Sequence, residues 1–274
     1  SDPALTLAAL AEAVEEMLGE QPAARAAAAR RREDRLREHE ERRRQDEEAR
    51  RAAWDRVPVS PERLVGELAA VAGDGAILVD ESFTTGRALL RHFPFRAPDR
   101  YFGVKGTALG WGVPASLGVA LARPGERVIC FVGDGSFLYS VQALWTAARY
   151  RIPVTFVVAN NGGYQILREG LRNYRRARAG GEAPGSGGAE APAPPAPPAP
   201  SASPAPLAPP ASPSGRAGEA LDLTDPPVDL LALARGFGVE GLRVAQPGEL
   251  AEALRQGLER APAVVEVLVG ISGG

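Results

Sequence analysis

The stretch that most restricts the possible folds is residues 127–167, RVICFVGDGSFLYSVQALWTAARYRIPVTFVVANNGGYQIL. Two short apolar runs rich in β-branched residues, Val128–Val132 and Val154–Val158, have the composition of buried strands. Between them, residues 137–150 carry apolar side chains at helical spacing, and Pro153 ends that segment. A strand, a helix and a second strand in this order predict a βαβ unit with parallel strands and a right-handed crossover.

Glycine and polar residues follow each of these predicted strands. The motif GDG (133–135) follows the first strand and NNGG (160–163) follows the second. Because parallel strands end at the same edge of the sheet, where open α/β sheets bind ligands, we expect Asp134 and Asn161 to be neighbours. A carboxylate, an amide oxygen and a backbone carbonyl suit Mg²⁺ whose other ligands are phosphate oxygens and water. The pattern therefore predicts a metal–diphosphate site, with an ordinary tight turn and Asn-Gly turn as the alternative.

GDGS followed at this spacing by NN resembles the cofactor motif of thiamine-diphosphate enzymes. Within that family the chain is most similar to benzoylformate decarboxylase and its relatives. The similar stretches are VDESFTTGRALL, GTALGWGVPASLGVALA, the end of the stretch quoted above, and VDLLALARGFGVEGLRV. The resemblance implies thiamine diphosphate and Mg²⁺ as cofactors. It also implies an enzyme that decarboxylates a 2-oxo acid (a lyase), or a carboligase similar to acetolactate synthase.

The resemblance also assigns roles to individual residues of this chain. It implies that Mg²⁺ is held by Asp134, Asn161 and the carbonyl of Gly163. It implies that Leu109 holds the cofactor in a bent shape and that Leu109, Ile166 and Leu167 form the substrate pocket. The full set of implied cofactor contacts is Phe83, Thr84, Thr107, Leu109, Gly133, Asp134, Gly135, Ser136, Asn161, Gly163, Tyr164, Gln165 and Ile166.

Some of these residues have simpler interpretations from sequence alone. Thr84, or Thr85 beside it, would equally suit the N-cap of a helix, and Ser136 would suit another. Leu109 would suit a core position. The chain also departs from the family, since Glu169-Gly170 stands where its decarboxylases have large aromatic residues, so an aromatic substrate is not implied. The tryptophan that acetolactate synthases carry shortly after the matching arginine is also missing.

Residues 1–56 are predicted to be a helical remnant of a middle domain followed by a charged linker helix. An amphipathic helix is expected over Ser1–Leu18. Ala23–Trp54 is rich in Ala, Arg and Glu, with opposite charges at helical spacing in the pairs Glu33/Arg37 and Glu38/Arg42. Balanced charge argues against a nucleic-acid arm, and the lack of apolar heptad positions argues against a coiled coil.

A catalytic residue is not expected within this chain. In the family, a glutamate on a separate pyrimidine-binding domain activates the cofactor, and the helical residues 1–56 fit no such domain. The resemblance therefore implies a partner pyrimidine-binding domain, on another chain or in a missing N-terminal part, and a homo- or hetero-oligomer. A non-catalytic cofactor-binding subunit is the alternative to an enzyme.

Composition excludes several other classes of function. A net charge of −2 gives no electrostatic reason to expect nucleic-acid binding, and no apolar run is long enough to span a membrane. The only cysteine, Cys130, permits no disulfide framework, which favours the reducing cytoplasm. Residues 180–218, rich in Pro and Ala, are predicted to be a disordered, partly polyproline insertion.

The remaining segments complete a predicted α/β fold. Strands are expected at Ala76–Val79, Gly241–Val244 and Ala263–Val269, with helices at Val228–Phe237 and Pro247–Arg260. Together with the βαβ unit they predict an open, mostly parallel, doubly wound sheet with helices on both faces, preceded by a helical N-terminal segment. The predicted cofactor-binding domain spans residues 57–269, interrupted by the insertion.

Overall fold

Six strands form one sheet in a computed structural model that describes residues 2–93, 95, 97–104, 106, 108–178 and 219–270. The strand order is β2-β1-β3-β4-β6-β5, and every pair of neighbours is parallel. This arrangement confirms the predicted open α/β fold. The strands are β1 (Ile77–Glu81), β2 (Tyr101–Gly103), β3 (Val128–Gly133), β4 (Val154–Asn160), β5 (Glu240–Val244) and β6 (Ala263–Leu268).

Ten helices occur in the described part of the chain. They are α1 (Pro3–Glu20), α2 (Pro22–Ala53), α3 (Pro61–Ala72), α4 (Phe83–His92), α5 (Gly112–Ala122), α6 (Asp134–Tyr139), α7 (Ala143–Tyr150), α8 (Gln165–Arg178), α9 (Leu230–Gly236) and α10 (Leu250–Glu259). Short 3₁₀ turns occupy Pro98–Arg100 and Pro247–Glu249.

Alternating side chains of the central strands pack into two separate cores. On one side of the sheet, which we call the α5 face, Val128 and Cys130 pack with residues of α5, α6, α7 and α9. On the other, the α4 face, Ile129 and Phe131 pack with residues of α3, α4 and α10. The strands are buried on both sides, which is why their sequences read as continuous apolar runs.

The strand order changes direction beside β1. The connection from β1 runs through α4 to the edge strand β2, whereas β3 lies on the other side of β1 and leads on to β4. Such a switch point separates the loops at the carboxyl ends of two neighbouring strands and opens a crevice there. The loops after β1 and β3 border that crevice.

Several element boundaries differ from those predicted. Strand β1 extends through Glu81, because Asp80 and Glu81 pair with β3 and their carboxylates find buried hydrogen-bond donors. The single helix expected over residues 137–150 is two helices, since Ser140 has φ −142° and the chain there makes i→i+3 turns. Strand β2 and helix α8 were not predicted, because β2 is only three residues long and α8 is mostly polar, with few apolar residues on one face.

The chain divides into two compact units, Ser1–Ala53 and Trp54–Gly274. In the first unit, Asp2 caps α1 by accepting a hydrogen bond from the Ala4 amide at 2.8 Å. Along α2, Glu38 and Arg42 are 3.9 Å apart as expected, whereas Arg37 pairs with Asp34 rather than with Glu33. These exposed pairs contribute little individually, as is usual for a solvated helix.

Two predictions lie outside the described residues: the site residue Thr107 and the insertion at 180–218. The lone cysteine, Cys130, is fully buried in β3, and burial raises the pKa of its thiol. None of the described helices combines the length and apolar character that crossing a bilayer requires.

Candidate functional site

A cavity of about 290 Å³ lies at the carboxyl edge of the sheet, beside the switch point. The loops that follow β1, β3 and β4 form its walls. Its lining residues are Ser82, Phe83, Thr84, Leu109, Gly133, Asp134, Gly135, Ser136, Asn161, Gly163, Tyr164, Gln165, Ile166 and Leu167. The structure thus brings together all the predicted site residues that it describes, and adds Ser82.

Asp134 is the only acidic residue among those lining residues and is 3% exposed. Its Oδ2 accepts a hydrogen bond from the Gly163 amide at 3.0 Å, which ties the end of β3 to the loop after β4. Burial raises the pKa of its carboxyl to about 6, against the opposing effect of backbone N–H groups of Gly135, Gly163 and Gly162. Among the described ion pairs none includes Asp134, so within the described residues only backbone dipoles compensate its negative charge.

The two adjacent asparagines after β4 have different surroundings. Asn160 donates from Nδ2 to Glu266 at 2.7 Å and accepts the Gly162 amide at 2.9 Å, so its side chain is fully used in the fold. The Oδ1 atom of Asn161 is buried and accepts no hydrogen bond from any described group. Buried acceptors are nearly always satisfied, so an unpaired one beside a carboxylate calls for a ligand.

The donor set fits Mg²⁺. The Asp134 carboxylate and Asn161 Oδ1 are hard oxygen atoms, and the Gly163 carbonyl accepts only one described hydrogen bond, from the Gln165 amide at 2.9 Å. No group of three His, Cys, Asp or Glu side chains suited to a metal occurs in the described ranges. A site with one carboxylate therefore needs further oxygen atoms, and phosphate oxygens would supply them.

The loop after β4 is held by a segment that returns to it after the insertion. The Tyr164 amide donates to the Leu221 carbonyl, and the Leu223 amide donates to the Gly162 carbonyl, both at 3.0 Å. A Cβ atom at Gly163 would lie 2.5 Å from the Leu221 carbonyl oxygen, so only glycine fits there. Arg168 adds an ion pair to Asp222 at 3.2 Å. This contact was not predicted, because the two segments are separated by the long insertion.

The start of α4 forms the opposite wall of the cavity. Its N-cap is Ser82, whose hydroxyl donates to Asp80 and therefore caps no helical amide. The capping role considered for Thr84 or Thr85 is thus wrong, since both lie within the first turn. Phe83 has φ +36°, which is strained for a residue other than glycine. The first N–H groups of a helix lack partners within the helix, and Phe83 and Thr84 line the cavity, so this helix start would favour an anion there.

Apolar side chains border the other end of the cavity. Leu109 is 40% exposed, so it is not the core residue that a simpler interpretation suggested, and Ile166 and Leu167 are also exposed. Ser136 is the third residue of α6 and does not cap it. Gln165 is 5% exposed, and neither polar atom of its side chain has a described partner.

A second cavity of about 210 Å³ lies behind the first. Thr84, Asn161 and Gln165 line both cavities and separate them. On its rim, Arg87 of α4 pairs with Glu169 of α8 at 2.8 Å. Glu169 therefore fastens α8 to α4, at the position where the resemblance led us to look for an aromatic residue.

The sequence matches the family described as "Thiamine pyrophosphate enzyme, C-terminal TPP binding domain" over residues 84–195 and 209–267. It is 34% identical to a benzoylformate decarboxylase of Pseudomonas aeruginosa over 211 residues, which is 77% of this chain and 32% of the relative. It is also 34% identical to a putative acetolactate synthase large subunit of Mycobacterium tuberculosis over 217 residues, 78% of this chain and 35% of the relative.

A solved structure with a similar fold is the thiamine diphosphate-dependent 4-hydroxybenzoylformate decarboxylase of Rhodococcus jostii RHA1. The TM-score is 0.59 and the sequences are 30% identical, with 80% of this chain and 34% of that chain covered. The chain spans about a third of the length of the relatives it matches. Strands β2 to β5, β6 up to Val267 and the cavity loops after β3 and β4 fall within the matched residues, whereas β1, Ser82 and Phe83 precede them.

Proposed function

Since the chain belongs to the C-terminal, TPP-binding domain family of thiamine pyrophosphate enzymes, we propose that it binds thiamine diphosphate through Mg²⁺ and contributes to the non-oxidative decarboxylation of a 2-oxo acid. One observation carries the proposal. The buried, unpaired Oδ1 of Asn161 lies in the same cavity as the buried carboxylate of Asp134, at the carboxyl edge of a parallel sheet. This is the oxygen-only half-shell that a Mg²⁺–diphosphate group requires.

Different residues would bind the cofactor at the two ends of the cavity. Asp134, Asn161 and the Gly163 carbonyl would hold the metal ion, while the start of α4 would meet the diphosphate. At the other end, Leu109 and the apolar start of α8 would surround the organic rings and exclude water. When bound, thiamine diphosphate supplies an electron sink for the bond to the departing carboxyl group.

Among decarboxylases and carboligases, we favour a decarboxylase similar to benzoylformate decarboxylase. The matches to a benzoylformate decarboxylase and to a 4-hydroxybenzoylformate decarboxylase each cover more than three quarters of this chain. An acetolactate synthase-like carboligase is the second candidate, because a relative with that printed name is equally similar. Both reactions begin with a 2-oxo acid and use the same cofactor site.

We further propose that the acid which activates the cofactor lies on a partner pyrimidine-binding domain, in a homo- or hetero-oligomer. Asp134 is the sole acidic residue lining the described cavity, and its hydrogen bonds commit it to the metal end. A general acid or base must lie within hydrogen-bond reach of the proton it transfers. In this arrangement residues 1–56 are the end of a middle domain and a linker helix, and 57–269 form the cofactor domain.

The test is exchange of the cofactor C2 proton for deuterium, followed by NMR, together with release of CO₂ from a panel of 2-oxo acids. We expect slow exchange and no turnover with the isolated chain, even with Mg²⁺ and thiamine diphosphate bound. Both should appear when a pyrimidine-binding domain of a related enzyme is added. Rapid exchange by the chain alone would show that the activating acid lies within these 274 residues.

A further inference from the structure

Glu81 ends strand β1 and is 1% exposed, although it carries a carboxylate. Its Oε1 accepts a hydrogen bond from the Gly110 amide at 2.6 Å, and its Oε2 accepts one from the Gly112 amide. Burial raises the pKa of this carboxyl, and the two amides oppose that rise. Among the described ion pairs none includes Glu81, so two backbone N–H groups are its main partners.

The two amides belong to the segment Ala108–Gly112, which presents Leu109 to the cavity before α5 begins. Gly110 has φ +83°, and a Cβ atom there would lie 2.8 Å from Cβ of Tyr139. A Cβ atom at Gly112 would lie 3.0 Å from both Cβ and Oε2 of Glu81. The segment therefore lies directly against Glu81 at Gly112 and against Tyr139 at Gly110, which leaves little room for a side chain at either glycine.

The neighbouring residue, Asp80, serves the opposite wall of the cavity. Successive residues of a strand point to opposite faces, so Asp80 points to the α4 face and Glu81 to the α5 face. Asp80 accepts hydrogen bonds from the Ser82 amide at 3.0 Å and the Tyr101 hydroxyl at 2.9 Å. One carboxylate thus fixes the start of α4, and the next fixes the segment that bears Leu109.

We propose that Glu81 is a positioning residue that holds Leu109 at the ring end of the cofactor cavity. The proposal rests on the function proposed above, because it assigns Leu109 to the thiamine rings rather than to the diphosphate. The carboxylate accepts both amides at once, which fixes the segment on either side of Gly110. The Ser136 hydroxyl interacts with the same carboxylate, so Glu81 also ties this segment to α6.

The test compares two probes, thiamine diphosphate and inorganic diphosphate, each titrated with Mg²⁺ into the wild-type chain and into Glu81→Gln. A glutamine amide has one acceptor oxygen and an NH₂ group that only donates, so it cannot accept one N–H at each end as the two carboxylate oxygens do. We expect the affinity for thiamine diphosphate to fall about tenfold, as for a lost hydrogen bond to a charged group, and that for inorganic diphosphate to stay within about twofold.

A second readout needs no cofactor. In the wild-type chain without ligand, the amides of Gly110 and Gly112 should exchange slowly with deuterium in an NMR experiment. In Glu81→Gln we expect their exchange to be at least about tenfold faster, because hydrogen-bonded amides are protected. Asp80→Asn is the matched control. It should leave the exchange of both amides unchanged and should alter the two affinities by the same factor.

Leu109→Ala keeps the test informative if Glu81→Gln fails to fold, because Leu109 is exposed and its truncation leaves the cores intact. It should lower the affinity for thiamine diphosphate and leave the affinity for inorganic diphosphate unchanged. Equal weakening of both probes by either variant, or unchanged exchange at Gly110 and Gly112 in Glu81→Gln, would overturn the proposal. If the wild-type chain binds neither probe, the proposed function fails instead.

Discussion

Two buried carboxylates near the carboxyl edge of the sheet differ in how their charge is compensated. Glu266 of β6 is 1% exposed, and its carboxylate accepts hydrogen bonds from Arg243 at 2.8 Å and from Asn160 at 2.7 Å. Asp134 is 3% exposed and, among the described residues, is offered only backbone amides, while the adjacent Asn161 Oδ1 has no donor at all. The hydrogen bonding of the first group is complete within the chain, whereas under the proposed function the second is completed by a cation and its other ligands.

The difference shows how a structural polar network is told from a binding site. Breaking a satisfied network is destabilising, because removing the partner leaves a buried charge without compensation. An unsatisfied pair of oxygen atoms lowers the stability of the free protein, and a cation that binds the folded state restores that loss. The variants below should therefore change stability in opposite directions at these two places.

The largest effect is expected where the completed network is broken. Arg243→Ala removes the cation from Glu266 and should destabilise the fold by roughly 2–3 kcal/mol, below the usual cost for a fully buried pair because Arg243 is itself partly exposed and Asn160 still donates. Urea denaturation measures this loss. Arg255→Ala, which removes an exposed pair with Glu252, is the control and should cost about 0.5 kcal/mol or less. Equal small losses in the two variants would show that Glu266 does not depend on Arg243.

Replacing the charged side chain of Asp134 should change stability in the opposite direction. Burial raises the pKa of Asp134 from its ordinary value of 3.8 to about 6, so the free protein loses stability as the pH rises through this range. Asp134→Asn should therefore stabilise the metal-free chain by about 2 kcal/mol at pH 8, with no gain below about pH 4. Thermal unfolding in a chelator at both pH values measures this. A loss of stability at pH 8 would contradict the proposed role of the buried charge.

Some of these contacts could be predicted from the sequence and others could not, depending on whether local periodicity or the folded chain brings the residues together. Asp134 and Asn161 were predictable, because strand periodicity places both at the ends of adjacent parallel strands. Glu81 and the docking of Leu221 were not, since they depend on loops that meet only in the folded chain. The break at Ser140 was also missed, because apolar spacing continues across it and does not report the backbone turn.

A smaller effect should separate the two adjacent asparagines. Asn160→Ala removes two hydrogen bonds, one of them to Glu266, and should cost about 1–2 kcal/mol. Asn161→Ala removes an unpaired acceptor and should change stability by less than about 0.5 kcal/mol. It should nevertheless weaken Mg²⁺-dependent binding of thiamine diphosphate about tenfold or more. Urea denaturation and calorimetry on both variants give the comparison, and similar stability losses would remove the distinction between them.

The most direct test of the metal–diphosphate site is calorimetric titration of thiamine diphosphate into the chain under three conditions. These are the wild type with Mg²⁺, the wild type with a chelator, and Asp134→Ala with Mg²⁺. We predict binding in the first and an affinity at least about a hundredfold lower in the other two, because Asp134 is the only carboxylate that lines the described cavity. An affinity of Asp134→Ala within about threefold of the wild type would contradict the assignment of this cavity to a Mg²⁺-bound diphosphate.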